Sequence, residues 1–299
     1  MRKLFVRLGA LALAVAAFAG CGSSSKSPSA STATPSGSSG SNAAIAAQVP
    51  AAIKSKGTLN VASEAQYAPN EFIAPDGHTV IGMDADLLHA LGAQMGLKVK
   101  LIDSNFETII PGIAAGRYDL GASSFTDTKE REKTVDFVDY FQAGISFYAK
   151  SSVNSGVNSV AGLCGRTVAL EKGTTEQEEA TKQSSKCTKE GKKAVNVLSF
   201  PGQNPVNLAV ASGRAELGMA DSPVVAYQIK QSGGQFKLLC KCYGFAPYGI
   251  AVPKKSGMTT PILAALKELI SNGTYKQILS KWGIASGGIS EPKINGATS

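Results

Sequence analysis

Hydroxyls and an arginine gather in Ser123-Ser124-Phe125-Thr126 and Thr128-Lys129-Glu130-Arg131, around what reads as a strand-to-helix turn. A guanidinium grips a carboxylate through two parallel hydrogen bonds, and neighbouring hydroxyls fill the remaining lone pairs. The same residues also suit helix capping, and their types and spacing do not separate the two uses. Gly173-Thr174-Thr175 follows a strand over 168–170 and opens a helix, with Thr175 and Glu178 at capping-box spacing. A helix start offers free amides and partial positive charge to an anion, although a cap alone accounts for the sequence equally well. Asp221-Ser222-Pro223 reads as an N-cap before a helix to Gln231, and a carboxylate at a cleft edge would also hold an ammonium group. Glu64, Tyr67, Pro69 and Phe106 stand at strand ends and gain meaning only if they converge. His78, in an Asp-Gly-His turn, and His89, in a helical pattern, read as structural, so no metal site and no cofactor is expected.

Convergence depends on the elements that carry these residues. A strand over 59–62, a hairpin turn at Asp76-Gly77, a helix over 84–95 with Leu87, Leu88, Leu91 and Met95 on one face, and a strand through Leu97, Val99 and Leu101 come first. Asn105 caps a helix through Ala115, and a strand over 120–123 follows. This βαβ progression implies a mainly parallel sheet with ligands at the carboxyl ends of its strands. The pattern then repeats: Ile113-Ala-Ala-Gly116-Arg117-Tyr-Asp119-Leu-Gly121 is echoed 97 residues later by Val210-Ala-Ser-Gly213-Arg214-Ala-Glu216-Leu-Gly218. In each copy a helix ends at glycine, a basic-x-acidic turn follows and a strand begins. Two similar lobes are the simplest source of such a repeat, and the register sets Ser124 of one against Asp221 of the other.

The N-terminus bounds the compartment. Arg2, Lys3 and Arg7 precede an uncharged apolar run over 8–19, too short to span a bilayer comfortably, which ends in Phe18-Ala19-Gly20-Cys21. This is the pattern of a lipoprotein signal peptide cleaved after residue 20 and acylated at Cys21, with Phe18 where leucine is more usual. The Ser/Gly/Ala/Thr/Pro stretch over 22–42 reads as a tether. Removing residues 1–20 leaves 27 basic against 22 acidic residues and lowers the net charge from +8 to +5. Export and the lack of basic clusters with interleaved aromatics exclude nucleic acid as a partner. Outside the membrane, Cys164, Cys187, Cys240 and Cys242 allow three disulfide pairings. Cys164–Cys187 is the expected one, because it brackets the unit holding Gly173 to Thr175, whereas Cys240 and Cys242 are only two residues apart.

A series of short motifs in order carries a family resemblance: Gly57-Thr-Leu-x-Val61, Glu64-x-x-Tyr67-Ala-Pro69, Gly82-Met-Asp84-x-Asp86-Leu87, Ile110-Pro-Gly-Ile113, Thr128-x-x-Arg131, Asp136-Phe137, Gly173-Thr-Thr175, Asp221, Tyr248-Gly-Ile-Ala-Val252 and Gly273-Thr-Tyr275-x-x-Ile278-x-x-Lys281-Trp282-Gly283. From Gly57 to Ile284 the chain resembles the amino-acid-binding family (family 3) of ABC-transporter solute-binding lipoproteins. The resemblance implies an α/β, type II periplasmic-binding-protein fold: two βα lobes joined by two hinge strands, near Gly144 and near 252–255, with the ligand cleft between. It implies a division into signal 1–20, tether 21–56, lobe 1 over 57–143 plus 254–285, lobe 2 over 144–253 and a flexible tail 286–299. Arg131 then matches the clamp for a ligand carboxylate, with Thr126, Thr174 and Thr175 beside it. Asp221 matches the acceptor of the α-ammonium, with Ser123 and Ser124 nearby. Tyr67 and Phe106 match aromatic walls, and Glu64 and Glu171 face the ligand side chain, favouring a cation such as arginine, lysine, ornithine or histidine over a neutral ligand such as glutamine.

The expected activity is therefore capture of an L-amino acid by a monomer anchored through lipid on the extracytoplasmic side of the cell membrane, serving an ABC permease and, through it, an ATPase. No Gly-x-x-x-x-Gly-Lys-Ser/Thr loop occurs, so the energy source is a separate chain. The competing class is an enzyme of the same fold, a dehydratase of an aromatic amino-acid precursor using Glu64 or Glu171 as its acid.

Overall fold

The computed structural model describes residues 41–240 and 242–298. The signal segment, Cys21 and the tether up to residue 40 lie outside the described residues. Helices α1 (Ala43–Gln48) and α2 (Ala51–Lys56) lead into β1 (Thr58–Ser63). A small antiparallel sheet of β2 (Gln66–Tyr67), β3 (Glu71–Ile73) and β4 (Val80–Ile81) turns at Asp76, whose Oδ1 accepts the N–H groups of His78 and Thr79. Then come α3 (Met83–Met95), β5 (Lys98–Asp103), α4 (Phe106–Ala114) and β6 (Leu120–Gly121). The long β7 (Val135–Lys150) leads to β8 (Thr167–Glu171), α5 (Thr175–Lys189), β9 (Asn196–Phe200), α6 (Gln203–Ser212), β10 (Leu217–Asp221), α7 (Ser222–Gln231) and β11 (Phe236–Leu238). The return strand β12 (Tyr243–Pro253) precedes α8 (Thr259–Ser271) and α9 (Thr274–Trp282).

The main sheet runs β5-β1-β6-β12-β7-β10-β8-β9, with β11 also paired to β7. β1 lies parallel to β5 and β6, and β8 lies parallel to β9 and β10, so each lobe has its own parallel block. The antiparallel strands β7 and β12 join the two blocks. The sequence repeat has a physical basis in this plan. Gly116 and Gly213 end their helices at φ 73° and 80°, a conformation other residues adopt at a cost. The acid that follows each accepts a backbone N–H at the start of a neighbouring strand: Asp119 Oδ2 from Asn60 at 2.6 Å, Glu216 Oε1 from Thr167 at 3.4 Å. Each acid also holds a cation, Lys56 and Arg166 respectively.

Three expectations are corrected. The strand crossing on β12 falls at 243–247 instead of 252–255: Tyr243 pairs with Ile145 and Pro247 with Gln142, while Tyr248, Ile250 and Val252 join the lobe 1 core with Leu59, Val61, Leu87 and Leu266. Alternating apolar residues give β12 a face that only lobe 1 can bury. Residues 43–56, assigned to the tether, form α1 and α2, since an alanine-rich run is a strong helix former and Ile45 and Val49, four apart, bury on that same core. Residues 286–298, assigned to a flexible tail, dock on β7. Asn295 Oδ1 accepts the Phe137 N–H at 2.8 Å, the Asn295 N–H donates to the Phe137 carbonyl at 3.1 Å, and the Lys293 carbonyl accepts the Asp139 N–H at 2.8 Å. The segment thereby covers a strand edge that would otherwise invite another chain.

In lobe 2, Leu163, Val168, Leu170, Leu217 and Met219 form the principal core. Cys164 and Cys187 are joined by a disulfide that ties α5 to the segment before β8 across 23 residues, a loop length worth about 3 kcal/mol in the chain-entropy account. Cys240 and Cys242 are free thiols.

Candidate functional site

The parallel strands of both lobes end toward one cavity between them. Glu64 follows β1, Glu171 closes β8 and Asp221 closes β10, so the register itself delivers three carboxylates to the carboxyl ends of the strands. All eleven residues expected to contact a ligand line this cavity: Glu64, Tyr67, Phe106, Ser123, Ser124, Thr126 and Arg131 from lobe 1, and Glu171, Thr174, Thr175 and Asp221 from lobe 2. Glu71 and Glu176 also line it and were not anticipated.

Arg131 lies on the cavity wall against two aromatic faces, its Cζ 5.5 Å from the centre of the Phe106 ring and 5.7 Å from that of Phe125. Those rings stack on each other at 4.5 Å. The guanidinium donates to the Thr126 carbonyl at 2.8 Å and, across the cleft, to the Gly173 carbonyl at 3.0 Å. Three of its five N–H donors remain for other acceptors. Burial pulls its pKa down, opposed by Glu178, Glu176 and Asp221.

Opposite Arg131, the capping residue of α5 is Thr174, one position earlier than the spacing of Thr175 and Glu178 suggested: its Oγ1 accepts the Gln177 N–H at 3.3 Å. Thr175 therefore occupies the first helical position, where the backbone N–H has no intrahelical partner. Its hydroxyl lies 3.5 Å from that of Thr126 and donates to Glu176 Oε2 at 3.3 Å.

Asp221 stands at the N-cap position of α7, yet its side chain makes no cap bond. It turns to Tyr67 instead. The Tyr67 hydroxyl donates to Asp221 Oδ2 and accepts the Asp221 N–H, both at 3.0 Å. Tyr67 thus acts as a latch between the lobes as well as a wall of the cavity. Lys172 and Glu107 add an ion pair of 2.8 Å, and Phe72 packs its ring 6.2 Å from Tyr227, so the lobes are closed on each other.

Acidity dominates the electrostatics. Glu64, Glu71, Glu171, Glu176 and Asp221 are all buried, against one guanidinium. Burial, then Asp103, pushes Glu64 up to about 8. Glu171 is raised by burial and then by Glu64, Glu176 and Asp221, and Asp221 by burial and then Glu176. Acids of the two lobes therefore oppose each other's ionisation. Neither oxygen of Glu64 has a hydrogen-bond partner, nor has Oε1 of Glu171 or Oε1 of Glu176. Buried carboxylate oxygens without donors are costly, and a cation with N–H groups is what they lack.

The model of the bacterial extracellular solute-binding proteins, family 3, matches residues 59–285. The arginine-binding protein of Corynebacterium glutamicum is 34% identical over 227 residues, covering 76% of this chain and 74% of its own. Among solved structures, an ancestral arginine-binding protein bound to arginine is 32% identical, with a TM-score of 0.70 over 76% of this chain and 98% of its own. An ancestral amino-acid-binding protein described as a precursor of cyclohexadienyl dehydratase is 30% identical, with a TM-score of 0.70 over 77% of this chain and 97% of its own.

Proposed function

The chain belongs to the bacterial extracellular solute-binding proteins of family 3, and from that premise we propose that it captures a cationic L-amino acid, arginine first, for an ABC importer. The observation that carries the choice of ligand is the pair Glu64 and Glu171, whose buried oxygens face the cavity without donors. Arg131 takes the α-carboxylate through its free N–H groups, helped by the Thr175 amide and the Thr126 hydroxyl. Asp221 takes the α-ammonium, with Ser124 as a second acceptor. Tyr67 and Phe106 flank the side chain, whose charge lies between Glu64 and Glu171 and ends their mutual repulsion.

Lobe 1 comprises residues 43–142 with 248–298, lobe 2 comprises residues 145–243, and closure is a population shift driven by contacts that exist only when both lobes reach the ligand. The protein works as a monomer, held to the extracytoplasmic face of the membrane by lipid on Cys21, and delivers to a separate permease and ATPase. Among the described residues no helix is long and apolar enough to cross a membrane. We read the chain as a carrier rather than a dehydratase, because the relatives named above are amino-acid-binding proteins and Arg131 and Asp221 together offer both halves of an amino-acid grip.

Titration calorimetry with arginine, lysine, glutamine and glutamate tests the assignment. Arginine is expected to bind tightest and glutamate not at all. Tight glutamate binding with none for arginine would show that Glu64 and Glu171 do not read the ligand.

A further inference from the structure

Behind the cavity floor lies a hydrogen-bonded layer that the ligand contacts do not explain. Ser123 Oγ donates to Glu71 Oε1 and Ser124 Oγ donates to Glu71 Oε2, both at 3.1 Å. Glu71 is fully buried, as is its neighbour Asp84. Asp84 accepts the Tyr140 hydroxyl at 2.7 and 2.8 Å and the Ser124 N–H at 3.0 Å, a donor set that keeps Asp84 the ionised member of the pair. Burial and then the charge of Asp84 hold Glu71 well above the usual carboxylate range, so Glu71 carries the proton of the pair and the ionised Asp84 draws it away from the serines. Toward the two serines, then, Glu71 only accepts.

The direction of those two bonds has a chemical effect at the ligand. A serine hydroxyl carries one hydrogen and two acceptor sites. Ser123 spends its hydrogen on Glu71 and one acceptor site on the Glu64 N–H at 2.9 Å. Ser124 spends its hydrogen on Glu71 and one acceptor site on Asn70 Nδ2 at 2.9 Å. Each oxygen keeps one acceptor site and no hydrogen. Ser124 is held in place for this by backbone in the left-handed region, φ 50°, which aims its N–H at Asp84 and its hydroxyl at Glu71.

We propose that Glu71 is a positioning residue for recognition: by accepting both hydroxyl hydrogens it makes Ser123 and Ser124 acceptor-only groups on the cavity floor, so that the floor reads N–H donors and rejects carboxylates and carbonyls. The proposal rests on the amino-acid reading above, with the α-ammonium at Ser124. Glutamine at position 71 has the same shape but presents N–H donors to one serine, which must then turn its own hydrogen into the cavity.

The test compares L-arginine with 5-guanidinopentanoate, which is arginine without its α-amino group, on the full chain by calorimetry. Wild type is expected to prefer arginine strongly. In Glu71→Gln that preference should shrink about tenfold or more, and Asp84→Asn, which leaves Glu71 accepting, should retain it. Ser124→Ala should shrink the preference to the same extent, and the Glu71→Gln/Ser124→Ala double variant should lose no more than either single one. An unchanged preference in Glu71→Gln, or additive losses in the double variant, would overturn the proposal. Should Glu71→Gln fail to fold, Ser124→Ala decides alone, since an unchanged preference there removes the group that Glu71 is said to orient. A wild-type protein that binds no amino acid would instead defeat the parent reading.

Discussion

Two buried acid groups in lobe 1 face very different surroundings. Glu64 looks into the cavity with both oxygens unpartnered, and burial lifts it to about 8. Asp127 and Asp139 sit under the docked segment 293–297, where Asp127 Oδ2 accepts the Ala297 N–H at 3.1 Å and the charge of Asp127 adds to burial in raising Asp139. Burial raises these two as well, Asp127 to about 6 and Asp139 to about 7. A raised pKa is therefore common to both places and identifies neither. What distinguishes the cavity is that neither oxygen of Glu64 finds a donor, whereas Asp127 Oδ2 is held by the backbone of the docked segment.

The comparison breaks most visibly at the single cation among the cavity acids. Arg131→Ala is expected to cost about 2–5 kcal/mol of binding, the range for removing one member of a desolvated charged pair, with the fold intact. Calorimetry against arginine together with a far-ultraviolet spectrum checks both parts, and an unaltered dissociation constant removes Arg131 from the site. Next in size, Glu64→Gln and Glu171→Gln should each weaken arginine binding by about 1.5–3 kcal/mol while leaving glutamine binding equal or stronger. The ligand-free variants should melt higher than wild type, because each loses a buried carboxylate with no partner.

The smallest effect belongs to the other group. The folded pKa values of Asp127 and Asp139 lie above 3.8, so their contribution to stability is complete below about pH 4 and is lost as the pH rises through about 6 and 7. Asp139→Asn, measured with saturating arginine to silence the cavity acids, should flatten the fall in Tm between pH 5 and 8 by about 2–4 °C and leave arginine affinity unchanged. A variant that altered affinity instead would erase the distinction between the two groups.

Much of this was legible in residue order. The glycine-capped repeat at 113–121 and 210–218 identified two lobes, and the residues that gather at the cavity stand at strand ends whose register follows from alternation. Glu176 carried a usable signal, since it follows Thr175 in the first turn of a helix already suspected of facing the site. Glu71 did not: it lies on a three-residue strand in a small sheet where periodicity has no length to act on. The segment 286–298 misled because glycine, serine and proline predict disorder only where no partner waits, and the uncovered edge of β7 is not visible in local composition. Thr174 displaced Thr175 as the cap because the choice depends on which threonine backbone is extended, ψ 163° at Thr174, and adjacent threonines look alike in sequence.

The β12 crossing and the docked segment also bear on how the molecule is made. Lobe 2 comes from the middle of the chain, whereas the lobe 1 core joins Leu59 and Val61 to Ile262, Leu266 and Tyr275. A ribosome adding about 5–20 residues per second releases every strand of lobe 2 before α8, α9 and the β7 cover exist. The half begun first is thus the half finished last, and its long-range contacts make that step slow. A nascent chain stopped at residue 257 should show a protease-resistant lobe 2 beside a digested lobe 1. Such a delay keeps the leading part of the polypeptide extended while it emerges, the condition under which a chain can still be threaded through a narrow export channel.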